Sequence, residues 1–186
     1  MKNIYPKNGF ALLYAVLLTG IILAIGLGLS AILAKQIILS STGASSQVAY
    51  YAANTAKECI IHWGIYGQTD PDTDQILSPF GYFQVDIDTE ETVYVEPNSD
   101  SIECGSETID IPEPEGSGSE ERYFDLDEFN IVINGVNTCA EVEVYVRSDE
   151  LSEVIARGYN TACGDDNNPR KVERQISGKG SFLTLF

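Results

Sequence analysis

Histidine is almost missing from this chain: its 186 residues include one, His62, together with a single methionine and a single tryptophan. One imidazole removes mechanisms that need two, most zinc sites among them, and the usual hydrolase triads fall too once a suitable nucleophile is also demanded. Basic residues are scarce as well. There are 11 against 28 acids, a formal net charge of -17, so the clustered Lys and Arg that bind a phosphate backbone are lacking, and direct charge-driven binding of nucleic acid is not expected. Acid is in turn absent from residues 1–57, which hold four lysines, whereas residues 58–186 carry all 28 acids and seven basic residues. No proline stands between Pro6 and Pro71, no CxxC pair occurs, and no internal repeat is visible. These absences argue against an ordinary enzyme and call for no cofactor.

What is present begins with an apolar run. From Phe10 to Ala34 the sequence FALLYAVLLTGIILAIGLGLSAILA has 25 residues without a charge, a length of about 37 Å as a helix and enough to cross a bilayer with some tilt. It exceeds the apolar core of a secretory signal, and no clear small-x-small cleavage site follows it. Lys2 and Lys7 precede the run and only Lys35 follows closely. The positive-inside rule then sets the N-terminus in the cytoplasm and the acidic part outside, in a cytoplasmic (inner) membrane. Gly20, Ala24 and Gly28 recur every four residues, a small-residue stripe that lets helices approach closely in lipid.

The helix has no strong breaker until Gly64 and Gly67. Its outer half places Val48, Ala52, Ala56, Cys59 and Trp63 three or four apart, an apolar stripe that asks for a covering layer. Ser40–Ser46 is weakly helical and a place for a bend. Beyond it the period changes to two. Phe83, Val85 and Ile87 alternate with polar residues and pair in prospect with Val93–Val95. Phe129, Ile131 and Ile133 lead into Asn134-Gly135, which suits a type I′ turn, and Ala140, Val142, Val144 and Val146 return. Val154–Thr161 and Lys171–Ser177 read as two further strands. The expected fold class is α+β, a long N-terminal helix packed in its outer half against an antiparallel sheet. The boundaries are a segment 1–9, a helix 10–66 (apolar span about 10–34, amphipathic outer half about 47–63) and a β-rich acidic domain 67–186. Residues 108–121, rich in Pro, Gly, Ser and acid, read as a mobile loop.

Four cysteines in an oxidising compartment allow three pairings. A loop at Ser148–Leu151 sets position 139 opposite about position 160, leaving Cys163 close enough to fold back on Cys139; Cys59 and Cys104 pair by remainder. Asp70, Asp72 and Asp74 alternate like the start of a calcium loop, but Gln75 stands at its glycine position and Gly81 at its twelfth ligand, so this is a weak metal candidate and no metal is called for.

The N-terminus carries the most specific signal. MKNIYPKNG is short and basic, ends in Gly9, and is followed at once by Phe10 and the apolar run. This resembles the prepilin leader of type IV pilin-like proteins, and SSTGASSQVAYYAANTAKECIIHW (residues 40–63) resembles PilX-type minor pilins; together the likeness covers about the first 63 residues. It implies a pilin-like fold, cleavage after Gly9 by a prepilin peptidase, and methylation of Phe10 as the new N-terminus. The implied function is that of a minor, or else major, subunit of a type IV pilus or related filament, assembled from the membrane by cytoplasmic ATPase-driven machinery with other pilin subunits as partners and displayed at the cell surface. The chain departs from the pattern at the fifth mature position, where many pilins carry glutamate and this sequence has Tyr14. In the family the tip subunit of the type II secretion pseudopilus also lacks that glutamate, so a pseudopilin of a secretion or DNA-uptake system is an alternative. A second is an uncleaved single-pass protein whose outer domain binds a ligand.

Overall fold

The computed structural model describes residues 8–69, 76–86, 88–97, 99–105, 107–115, 121–148, 152–165 and 167–180. Its elements are one helix, α1 (Asn8–Tyr66), and ten strands: β1 (Gln68–Thr69), β2 (Ile76–Leu77), β3 (Tyr82–Val85), β4 (Thr92–Val95), β5 (Ser101–Cys104), β6 (Glu107–Asp110), β7 (Glu121–Ile133), β8 (Val136–Arg147), β9 (Ser152–Tyr159) and β10 (Glu173–Gly180). The chain divides into two units, Met1–Gly43 and Ala44–Phe186. The division falls inside the Ser40–Ser46 stretch expected to bend, but α1 continues through it without a break in its helical residues. Ser41 and Thr42 donate their hydroxyls back to the Ile38 carbonyl at 3.1 and 3.0 Å, which satisfies them within the helix.

In the first unit the described side chains from Phe10 to Gly43 are all exposed. The helix there contains a window of mean hydropathy 2.5 with none of it buried, and is long and apolar enough to cross a membrane. Thr19, within the run, donates its hydroxyl to the Ala15 and Val16 carbonyls, which satisfies that donor inside the helix.

The second unit is built on the rest of α1. Ala49, Ala52, Ala53, Ala56 and Ile60 are fully buried. The line of contact thus runs one position away from the expected stripe: Ala52 and Ala56 belong to it, whereas Val48, Cys59 and Trp63 flank it, half-buried. The physical reason is closeness. A Cβ on Gly158 of β9 would strike the Ala53 amide nitrogen and the Ala49 carbonyl, so strand and helix backbones nearly touch, and alanine rather than a bulkier residue occupies the line. The helix stops at Gly67, whose φ of 61° lets its N–H reach the Trp63 carbonyl at 2.8 Å.

Covering this helix is a four-stranded antiparallel sheet in the order β10-β9-β8-β7. Its helix-side face carries Phe124, Leu126, Phe129, Ile131, Ala140, Val142, Val144, Val146, Val154 and Ala156, all buried, and the alternation along β8 and β9 is the period of two. Leu126 and Phe129 both point inward although three apart. A register shift between them resets the phase, leaving Asp127 and Glu128 exposed. Asn134 and Gly135 have φ of 51° and 80°, the both-positive geometry of a type I′ turn joining β7 to β8.

Among the described residues the unit also holds three two-stranded antiparallel pairs, β1-β2, β3-β4 and β5-β6. β3-β4 is the expected hairpin, while Ile87 lies outside the described residues. The β5-β6 hairpin was not expected from the sequence. Within 108–121, β6 takes the first residues, Glu115 bridges Tyr123, and 116–120 lie outside the described residues. β7 begins at Glu121, eight residues before Phe129, the first strand residue read from the sequence, and includes the buried Phe124 and Leu126.

Candidate functional surfaces

The processing candidates Gly9 and Phe10 lie in the first turn of α1, and Phe10 is 76% exposed. Tyr14 lies one turn further on and is 60% exposed. Gly20, Ala24 and Gly28 share one side of the helix by their spacing of four. A methyl group added at Gly20 or Gly28 would meet nothing within 4 Å, which leaves a shallow groove into which a second helix could lie closely.

Two disulfides shape the second unit. Cys59 is bonded to Cys104, and Cys139 to Cys163. The first ties α1 to β5 and sits beside a hydrogen bond from the Trp63 indole N–H to the Glu103 carbonyl at 2.8 Å. Trp63 and Cys59 thus grip the same short strand. The second ties β8 to the segment after β9, where Cys139 stands opposite Tyr159 and the Cys163 N–H donates to the Asn130 side-chain carbonyl at 3.3 Å. Asn130 was not singled out in the sequence, where an Asn within an apolar strand gives no signal of its partner.

The outer face of the sheet is a lattice of half-buried charge. Arg157 reaches Glu143 at 2.6 Å and Glu141 at 3.6 Å. Arg147 reaches Glu121 at 2.5 Å and Glu153 at 3.3 Å. Tyr145 and Tyr159 donate their hydroxyls to Glu143 and Glu141, each at 3.1 Å. Hydrogen bonding to Glu143 holds the Arg157 guanidinium further above its already high range. Asp125 has the reverse experience: although its residue is exposed, desolvation by its neighbours first, then Glu143 and Glu141, push its carboxyl above the ordinary range. Tyr123 is pushed up to about 12, by burial and then by Asp125. Neither the arginines nor these tyrosines were picked out by sequence reasoning, because only the register of β7, β8 and β9 brings them together.

At the β3-β4 turn the Asp86 carboxylate accepts the Asp88 and Thr89 N–H groups at 2.8 and 3.1 Å, and these bonds hold it below the ordinary carboxylate range. An open cleft of about 410 Å³ is lined in part by Tyr94, Glu96, Asp100, Glu113 and Arg122. The Arg122 guanidinium lies 4.8 Å over the Tyr94 ring, and the Tyr94 hydroxyl donates to the Phe80 carbonyl at 2.8 Å. These contacts brace the cleft wall and pair no nucleophile with a base. Glu128, Cys139 and Cys163 form the metal-like grouping among the described residues, but both sulfurs are joined to each other and offer no thiolate. Asp70, Asp72 and Asp74 lie outside the described residues.

No protein-family model, curated protein or solved structure matches the chain. What can be said of its role rests on its own residues.

Proposed function

We propose that this chain is a structural subunit, minor or major, of a type IV pilus or related filament, made as a prepilin and moved from the cytoplasmic membrane into the filament after its leader is removed. The observation that carries the reading is a coincidence of parts in one helix. A basic leader ends in Gly9, α1 runs from Asn8 to Tyr66, its first half carries the uncharged apolar run from Phe10 to Ala34, exposed at its described residues, and its second half is the spine of an acidic, disulfide-bonded domain. A simple anchor has no need to enter the domain core. In this reading the groove at Gly20, Ala24 and Gly28 takes neighbouring helices, first in lipid and then in the filament. The acidic outer surface keeps displayed domains soluble.

Tyr14 bears on the position within the filament. A neutral phenol supplies no charge to a neighbouring N-terminal amine, so entry of this subunit into a preformed helical register lacks that electrostatic guide. This supports a minor or tip position, in a pilus or in the pseudopilus of a secretion or DNA-uptake system.

The test is the intact mass and N-terminal sequence of the protein recovered from its native membrane, with and without an active prepilin peptidase. We expect a chain beginning at methylated Phe10 only with the active peptidase, and a Gly9→Leu variant that keeps Met1. A wild-type chain that keeps Met1 under both conditions sinks the filament reading in favour of an anchored binding domain.

A further inference from the structure

The acidity of the second unit is uneven. Residues 121–133, which form β7, contain Glu121, Asp125, Asp127 and Glu128 against Arg122, whereas residues 167–180, the approach to β10 and β10 itself, contain Arg170, Lys171, Arg174 and Lys179 against Glu173. The two segments are the opposite edges of one sheet. On the β7 edge Asp125, Asp127 and Glu128 are exposed, and on the β10 edge Arg170, Arg174 and Lys179 are exposed. In a chain of net charge -17, the basic edge is the exception, and β10 has no strand beyond it among the described residues.

We propose that the β10 edge of one copy docks on the β7 edge of a second copy, a head-to-tail contact between domains. This rests on the filament reading for the identity of the partner. Charge selects the pairing. Two β10 edges would bring Arg174 and Lys179 of both copies together, and two β7 edges would bring together their carboxylates, so the symmetric contacts are repelled and the unlike one is attracted. Strand direction agrees: in an antiparallel sheet of four strands the outer two run oppositely, so copies held in the same orientation set β10 antiparallel to the neighbour's β7. The contact is one of side chains rather than a continued ladder, because the shift at Asp127–Glu128 and the Glu115–Tyr123 bridge interrupt the outer edge of β7. Charge on both edges also prevents indiscriminate strand addition, while leaving one partner acceptable.

The experiment uses full-length chains bearing two different tags, mixed in detergent micelles, with co-capture measured at low and high salt. Wild-type copies are expected to pair at low salt and to lose at least about tenfold in apparent affinity at high salt, since exposed charges are screened. Arg170→Glu with Lys179→Glu on one edge, or Asp127→Lys with Glu128→Lys on the other, is expected to weaken self-pairing by a similar factor with an unchanged circular dichroism spectrum. Mixing the two doubly substituted chains should restore it, because each then offers the complement the other needs. Failure of the mixture to pair, or variants that pair like wild type, overturns the proposal. So does an absence of pairing between copies coupled with binding of the wild type, and not of the Arg170/Lys179 variant, to phosphatidylglycerol-phosphatidylcholine vesicles, which assigns the edge to lipid. Cleavage after Gly9, scored on the same proteins, separates the two readings. A wild-type chain that shows the charge-dependent pairing but is never cut upholds the edge contact and refutes the filament reading; one that is cut while all variants pair alike refutes the edge contact alone.

Discussion

Gly158 is the residue on which the second unit closes. Because its missing Cβ is the space in which the Ala49 carbonyl and Ala53 amide sit, Gly158→Ala must push β9 away from α1 or distort one of them. We expect a loss of about 1–3 kcal/mol, the range for overpacking a tight core, read as a lower urea midpoint with an unchanged slope. A second residue-scale outcome concerns pH. Asp125 titrates above its unfolded value because of desolvation and the neighbouring Glu143 and Glu141, so its ionised form opposes folding at neutral pH and the penalty is relieved as pH falls through its raised folded value. Asp86 has the opposite sign: its stabilisation is present above the unfolded carboxylate value and disappears as pH falls through its lowered folded one. Asp125→Asn should therefore raise the unfolding midpoint at pH 7 and show little difference at the acid end. Asp86→Asn should lower it at pH 7, with the gap closing in acid. Thermal unfolding followed from pH 3 to pH 8 checks both directions.

At the scale of elements, the two disulfides close chain separations of 45 and 24 residues. Loop-closure entropy alone assigns about 4 kcal/mol to Cys59–Cys104 and about 3.5 kcal/mol to Cys139–Cys163. Replacing each pair by serine should cost of that order, slightly more for the first, measured by urea unfolding of the singly bridged proteins. The elements were also where the sequence was most readable. Hydrophobic alternation in Val142, Val144 and Val146, the Asn134-Gly135 turn and the apolar run from Phe10 each answer to a local rule, and the strands, hairpin and helix stand where those rules set them. The register set by a loop at Ser148–Leu151 also led to the Cys139–Cys163 pairing. Less was legible where the cause is non-local. The buried line of α1 passes through Ala49, Ala53 and Ile60 because a glycine from another strand approaches there, and nothing in the helix sequence announces that approach. β5-β6 is four residues a side, too short for its alternation to stand out among acids, and is fixed instead by Cys104 and the Trp63 hydrogen bond. Among the candidate surfaces, Gly9, Phe10 and the small-residue stripe are visible in sequence because they are contiguous or periodic. The charge lattice of Arg147 and Arg157 and the opposed sheet edges depend on strand order, which spacing does not encode.

For the molecule as a whole, charge segregation matters more than net charge. A uniformly acidic domain would repel its copies at every orientation; one with a basic edge has a single attractive approach. Association of copies through that edge is then expected to depend on ionic strength, whereas contacts between the apolar helices are not. The same unit contains a closed covalent circuit. Cys59 and Cys104 join the helix to β5, so tension entering along α1 and leaving beyond β5 bypasses a chain separation of 45 residues, which at roughly 3.4 Å per step shields about 150 Å of contour from extension. The helix cannot be drawn out of its domain like a pin while that bond is intact. Under a pull strong enough to unfold the sheet, the oxidised chain lengthens far less than its residue count implies and breaks no connection between anchor and domain, whereas the reduced chain pays out as a slack tether.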